Sequence, residues 1–465
     1  MPLQTKKSRK TGNAGIDCFF HPKSVAVVGV SRSPKKFGHI IFQNFLKSKF
    51  SGAVYAVNPE ANEILGRECY KSVLDIPGSV DLAVVVVPSQ AVPPVILECA
   101  KKGVKACVIV SAGFSEIGRG DLEQEIFESK GNMRIIGPNV IGIFDSYSHI
   151  DTIFNPAHRQ ERPLEGRISF VSQSGAFGTA IMDWSAHEGI GLSKFVSIGN
   201  RLDVNEVDLL EYLASDRNTS VIALYLEGAK SGRLLYETVK SVAKKKPVVI
   251  LKAGRTPAGS AAVSSHTGSL AGAAAIYTGM FKQAGVIEAK NIDDLFGFSK
   301  ALAYQPLPKG DRIAIVTNGG GFGVLSADSI IENGLQLAKI SKKTLDEVRK
   351  KVPNYVTLSN PMDLTGDADS KRYEIALKNI MKDENVDAVI VTLLMQISAL
   401  GSDIVDVLKA FRTKPLLVCS TGGDFTNIHR KMLEASGIPT YSTPESAVKA
   451  MKAMVDYSKQ RGIIR

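Results

Sequence analysis

The sequence predicts an α/β protein of three Rossmann-like/flavodoxin-like domains with mainly parallel sheets. An apolar strand that runs into a glycine- or serine-rich turn and then a helical stretch occurs three times. The copies are VAVVGVSRS (25–33), ISFVSQSG (168–175) and IAIVTNGGGFG (313–323), about 145 residues apart. Further short apolar runs, AVYAV (53–57), LAVVVV (82–87), ACVIV (106–110), VIALYL (221–226), PVVIL (247–251), AVIVTLL (388–394) and PLLVC (415–419), are mostly separated by helical stretches. Runs apolar at every position are buried on both faces, as in parallel sheets covered by helices. The 465 residues, 44% apolar and 22% charged, also suffice for three cores at roughly 150 residues per domain.

The same composition excludes wholesale disorder, and no apolar run is long enough to cross a bilayer. The start, MPLQTKKSRKTGNAGID, is basic but has no apolar core, so it does not read as a secretory signal. Five cysteines, an odd number with no CxxC pair, argue against a disulfide framework or a zinc site and fit a cytoplasmic location. The net charge is +11. Its clusters are Lys6-Lys7-Ser8-Arg9-Lys10, in a solvated tail, and Lys244-Lys245-Lys246, at a helix end. Neither is interleaved with aromatics, so no nucleic-acid partner is expected.

Residues 1–15 read as a basic tail and 16–147 as the first domain. Its opening turn holds Gly29, Ser31, Arg32, Ser33 and Lys36 and lacks the GxGxxG of a dinucleotide fold. The second strand ends Val57-Asn58-Pro59, with no acid to hold a ribose diol. These absences argue against a nicotinamide-dependent dehydrogenase. Serines, cations and a helix N-terminus suit a phosphate-rich ligand instead. Val87-Pro88-Ser89 and Ser111-Ala112-Gly113-Phe114 would line the carboxyl edge of the same sheet, and RIIGPNVIGIFD closes the domain with Asn139 on a proline-set turn.

Residues 146–166 read as a linker or crossing segment, 148–305 as the second domain, 304–311 as a second linker and 306–465 as the third domain. The second and third domains follow one plan. ISFVSQSG, VIALYLEG and KPVVILKAG recur in order as IAIVTNGGG, AVIVTLLMQ and KPLLVCSTGG. Glu227 is expected to stand where the third domain has Gln396. SSHTGS follows the last strand of the second domain only, so the third is expected to be non-catalytic. In SSHTGS, read as a small-residue loop, hydroxyls cluster around His266. A neutral imidazole there is a good nucleophile near neutral pH. Ser174-Gly175-Ala176 opens a helix whose N–H groups could hold phosphate. The other histidines lack such a setting. His21 and His149 look like boundary residues, His158 lies in the linker, His187 is in a helix, and His39 and His429 are expected at the surface. No GxxxxGK[ST] exists, and the nearest stretch, Gly254 to Gly259-Ser260, lacks the lysine.

GVSRSP…FG, VNP, VPS, SAGFSE and RIIGPNVIG, in this order, resemble the CoA-binding domain of the NDP-forming acyl-CoA synthetases. The resemblance continues through SQSGAFG, LYLEG and SSHTGSLAG to the end of the chain. Succinyl-CoA synthetases usually carry Cys where Val140 stands and lack the third domain, so the resemblance favours the ADP-forming acetyl-CoA synthetase branch. It implies coenzyme A at Gly29, Ser31, Arg32, Ser33, Lys36, Asn58, Val87, Pro88, Ser111, Ala112, Gly113 and Asn139. It implies phosphate at Ser174, Gly175 and Ala176, a phosphohistidine on His266 oriented by Glu227, and Asn200 on the acyl side. CoA and phosphate would be substrates, with no tightly bound cofactor or metal. Mg-ADP/ATP would sit on an ATP-grasp β subunit in an α2β2 assembly, with no membrane partner. The alternative is a non-catalytic CoA sensor or scaffold of the same fold. Intact His266, Glu227 and Ser174 argue against that.

Overall fold

A computed structural model describes residues 12–267 and 274–464, with side chains from 15 to 263 and from 274 to 464. The expected basic tail lies almost wholly outside these residues, as do Gly268, Ser269 and the His266 side chain. The chain divides into two compact units, residues 1–187 with 191–286, and 188–190 with 287–465.

The first unit holds two sheets. One contains β1 (Ser24–Val28), β2 (Ala53–Val57), β3 (Glu63–Ile64), β4 (Arg67–Tyr70), β5 (Leu82–Val85), β6 (Ala106–Ile109) and β7 (Arg134–Ile136), in the order β3-β4-β2-β1-β5-β6-β7. Every pairing is parallel except β3 with β4. β1 and β5 are buried at every residue, which explains their unbroken apolar runs. Strand order reverses at β1, so a crevice opens beyond its carboxyl end.

The other sheet contains β8 (Ile143–Asp145), β9 (Ile150–Asp151), β10 (Glu165–Ser172), β11 (Leu192–Ser197), β12 (Val221–Leu226) and β13 (Val248–Lys252). Within this unit its order is β13-β12-β10-β11-β8-β9. β8 and β9 run antiparallel to their neighbours, and the rest pair in parallel. The end of the first-domain sequence, β8, therefore belongs to the second sheet. Lys194 of β11, fully buried, holds β8 through Asp145 (3.2 Å) and also meets Asp216 (2.9 Å).

The second unit begins at β14 (Ile287–Ala289) and holds β15 (Arg312–Thr317), β16 (Gln336–Leu337), β17 (Met362–Asp363), β18 (Ala388–Thr392), β19 (Leu416–Cys419) and β20 (Thr440–Tyr441). Its sheet runs β16-β15-β18-β19-β20, with β17 also on β15, all parallel. The helix Ile292–Tyr304 is part of this unit. Tyr441 Oη donates to Gly297 O (2.7 Å), and the buried Lys300 pairs with Glu434 (2.5 Å).

Three expectations need correction. His39 and His429 are buried, at 5% and 4% exposure. His39 Nδ1 bonds to Ser31 O (2.8 Å), and His429 bonds to Ser402 Oγ and Phe425 O (both 2.8 Å). Each ring is held by local polar partners, which makes burial tolerable. The segment read as a loop around His266 is helical from Pro257 to Thr267. Thr256 Oγ1 accepts from Gly259 N (3.1 Å), Pro257 fits a helix start, and the alanines that follow favour helix. Register also replaces Gln396 as the counterpart of Glu227. Ser172 pairs with Tyr225 and Thr317 with Thr392, so two residues further on Glu227 matches Leu394.

Candidate active site

The turn after β1 closes on itself. Gly29 has φ +97°, and a Cβ there would fall 2.3 Å from Val86 O. A Cβ on Gly38 would fall 2.1 Å from Gly29 O. Only glycines let the helix Phe37–Lys47 start so close to the turn, with its first N–H groups available to an anion. Asn58 braces the turn: its Nδ2 donates to Val30 O (2.6 Å), and its Oδ1 accepts from Glu60 N (2.8 Å). Ser111 Oγ donates to Val87 O, and Asn139 N to Ser111 O (2.9 Å), which aligns the ends of β5, β6 and β7.

The second sheet is stitched to this edge. Asn200 N donates to Pro138 O (2.9 Å) and Leu202 N to Gly137 O (3.0 Å). Gly199 has φ +53°, and a Cβ there would meet Pro138 O at 2.2 Å, so the contact needs glycine. Asn200 Nδ2 donates to Glu116 Oε2 (2.6 Å) and Glu123 Oε1 (2.8 Å), and its Oδ1 accepts from Asn139 (3.3 Å). Burial alone would raise the Glu116 carboxyl. Hydrogen bonds from Asn200 and from the Gly113 and Phe114 N–H groups outweigh that and hold it below the ordinary carboxylate range.

At the tip of β10, Ser172 Oγ donates to Ser174 O (2.7 Å), and Ser174 Oγ accepts from Phe177 N (3.3 Å). Ser174 thus caps the helix Gly175–His187, whose first N–H groups have no intrahelical acceptor. Gln173 between them accepts from Glu227 N (2.6 Å) and Gly228 N (3.0 Å) and donates to Gly228 O (2.8 Å). Arg201 Nη1 donates to the same Gly228 O (2.8 Å). Lys252, 1% exposed, donates to Glu227 O (2.8 Å) and lies 4.8 Å over the Tyr277 ring. Burial, then the charge of Glu227 and a hydrogen bond to it, push the Tyr225 hydroxyl up to about 12.

The turn after β1, the turns at Asn139 and Asn200, the start of the helix Gly175–His187 and Glu227 line one cavity of about 1090 Å³. Gly29, Ser31, Lys36, Asn58, Val87, Pro88, Ser111, Ala112, Asn139, Ser174, Gly175, Ala176, Asn200 and Glu227 all face it. Arg32 and Ser33 stand outside on the exposed turn, and Gly113 packs on Ser89 instead. Sequence reading missed Gln173, Glu116, Arg201, Ile141 and the stacked pair Phe37–Phe154 (4.1 Å), which also line it. The neighbouring motifs SQSG, SAGFSE and GPNVIG signal only the first, second and fourth of these. Among the described residues no cluster of ligating side chains could hold a metal, and no helix is long and apolar enough to cross a membrane.

Residues 23–145 match the family model for a CoA binding domain, 165–302 that for a succinyl-CoA ligase like flavodoxin domain, and 313–464 that for a Ligase-CoA domain. The acetate–CoA ligase (ADP-forming) II subunit alpha of Pyrococcus furiosus is 42% identical over 458 residues, covering 96% of this chain and 99% of that one. The chain belongs to the ADP-forming acetate–CoA ligase family. A second alpha subunit of this family from P. furiosus, that of isoenzyme I, is 41% identical over 96% of this chain and 98% of its own. Among solved members of the family fold, acetyl-coenzyme A synthetase 1 of Ca. Korarchaeum cryptofilum, in complex with phosphate and ADP, superposes with a TM-score of 0.90. It is 39% identical, and the match covers 97% of this chain and 98% of that chain.

Proposed function

We propose that this family member is the α subunit of an ADP-forming acyl-CoA synthetase acting on acetyl-CoA. It would interconvert acyl-CoA, phosphate and ADP with a carboxylic acid, CoA and ATP. One observation carries the reading: the β1 turn, Asn139, the start of the helix Gly175–His187 and Glu227 face a single cavity. A thioester and a phosphate bound there would meet.

Coenzyme A is assigned to the edge of β1, β5 and β6, its phosphates at Ser31, Lys36 and the N-terminus of the helix Phe37–Lys47, its thiol end toward Asn139. Phosphate is assigned to the N–H groups of Gly175 and Ala176 with Ser174 Oγ, where fixed dipoles stabilise anionic oxygens. A phosphate oxygen attacks the thioester carbonyl carbon; the C–O bond forms, the C–S bond breaks, and CoA leaves as thiolate and takes up a proton. A ring nitrogen of His266 then attacks phosphorus and carboxylate leaves. Glu227 accepts the hydrogen bond of the other ring nitrogen, which fixes the tautomer and stabilises the charged ring. A partner ATP-grasp β subunit holding Mg-ADP would receive the phosphoryl group, in an α2β2 assembly in the cytoplasm. The same reading assigns 16–147 to CoA binding, 148–305 to the ligase chemistry and 306–465 to a copy without catalytic groups.

The test is phosphate-dependent release of free CoA from acetyl-CoA, with and without the partner. Release that needs phosphate, with ATP formed only when the partner is present and lost in His266→Ala, is expected. CoA binding without release under any condition would return the chain to the sensor reading.

A further inference from the structure

The proposed reaction needs a seat for the acyl group, and Asn200 is poorly placed to make one. Its amide is already engaged by Glu116, Glu123 and Asn139. Ile141 is placed differently. It is only partly buried and faces the cavity. A Cβ built on Gly175 would lie 2.8 Å from Ile141 Cγ1 and 3.5 Å from its Cδ1. Ile141 therefore packs on the residue that opens the helix assigned to phosphate. Its own N–H is directed at Ser197 Oγ (3.4 Å), which holds the backbone in place. The preceding residue, Val140, also borders the cavity, but it is 3% exposed and packs in the core, which leaves Ile141 the more exposed of the two.

We propose that Ile141 is the wall against which the acyl substituent packs, and that it sets the acyl size this chain accepts. The inference rests on the proposed function and deepens it. In acyl-CoA the carbonyl carbon carries sulfur; in the acyl phosphate it carries one bridging oxygen to phosphorus. The substituent on that carbon is untouched in both. It must therefore lie beside the bound phosphate, within a side chain's reach of Gly175. An isoleucine there leaves room for a methyl group and opposes a longer chain. A methylene in an apolar pocket changes selectivity about 10–200-fold.

The experiment uses the full chain with its partner and measures kcat/KM for acetyl-CoA and butyryl-CoA. Ile141→Ala is expected to raise the butyryl-to-acetyl ratio about 10–100-fold, and Ile141→Val to raise it several-fold. Ile141→Phe is expected to lower turnover of both, butyryl-CoA more. The dissociation constant of free CoA should stay unchanged in all three, since Ile141 is not among the groups assigned to CoA. An unmoved ratio in folded variants that still turn over acetyl-CoA would overturn the inference alone. Wild-type protein that releases no CoA from either thioester in the presence of phosphate removes the proposed function, and the inference with it.

Discussion

At the tips of β10 and β15 the backbone is fastened in the same way. Ser172 Oγ donates to Ser174 O at 2.7 Å, and Thr317 Oγ1 to Gly319 O at 2.9 Å. Gln173 accepts from Glu227 N and Gly228 N, and Asn318 accepts from Leu394 N at 2.9 Å. Two residues beyond the register pairs of the next strands, Gly199 and Thr365 both take a left-handed turn, with φ +53° and +68°. What differs is what the tips carry. The first has Ser174, Asn200 and Glu227; the second has Gly319, Gly366 and Leu394. Shared features belong to the scaffold, and the features that differ are where chemistry is expected. A buried amide that holds a strand tip is thus no evidence of catalysis by itself, whereas a carboxylate at the same tip is.

Exchanging residues between the tips tests this. Glu227→Leu copies the second tip into the first and should lower kcat for ATP formation about 10²–10⁴-fold while CoA still binds. Leu394→Glu should leave turnover unchanged; an equal loss there would erase the distinction. Gln173→Ala leaves two N–H groups of the tip without their acceptor and should cost about 2–4 kcal/mol in unfolding free energy. Asn318→Ala should cost about 1–3 kcal/mol in denaturant melts, and only the Gln173 variant should also slow turnover. Ser174→Gly, which copies Gly319, should leave stability within a few tenths of a kcal/mol, since glycine is a tolerated cap. It should raise the KM for phosphate about tenfold through loss of one hydroxyl donor to an anion.

The smallest effect concerns the Asn200 brace, for which Gly366 offers no equivalent. Glu116 has its carboxyl held below its unfolded value. Its contribution is therefore fully present above the unfolded carboxylate pKa and is lost as pH falls through the lowered one. Glu116→Gln should flatten the acid limb of the stability curve. An unchanged limb would show that the brace does not discriminate between the two ionisation states of Glu116.

The strand runs were legible because parallel strands buried on both faces are apolar at every position. The turns were legible because glycine and serine stand where a helix must start close to a strand. Gly29, Asn58, Asn139, Ser174 and Glu227 come from five separate stretches, yet all stand at the carboxyl edges of strands, and the fold brings such edges together. Gln173 and Arg201 could not be read so readily, because their role is to hold the backbone at the tip of β12, one and two strands away. Ile141 lies in the GPNVIG motif, but its side chain looked like any apolar residue of a strand approach; its place on the cavity and its contact with Gly175 mark it. The match of Glu227 to Leu394 needed the strand register, since the two tips differ in the residues that follow. His39 and His429 looked like surface residues because their polar partners are backbone carbonyls and a serine, which no motif announces.

The central claim is that phosphoryl chemistry belongs to the second sheet of the first unit and not to the matching sheet of the second unit. Labelled phosphate and acetyl-CoA supplied to the chain with the proposed ATP-grasp partner, followed by mapping of the labelled residue, test it directly. The claim predicts an acid-labile, base-stable label on His266 that disappears in His266→Ala and Glu227→Leu and persists in Leu394→Glu. A label on the second unit, or none on a chain that binds CoA and its partner, would contradict it.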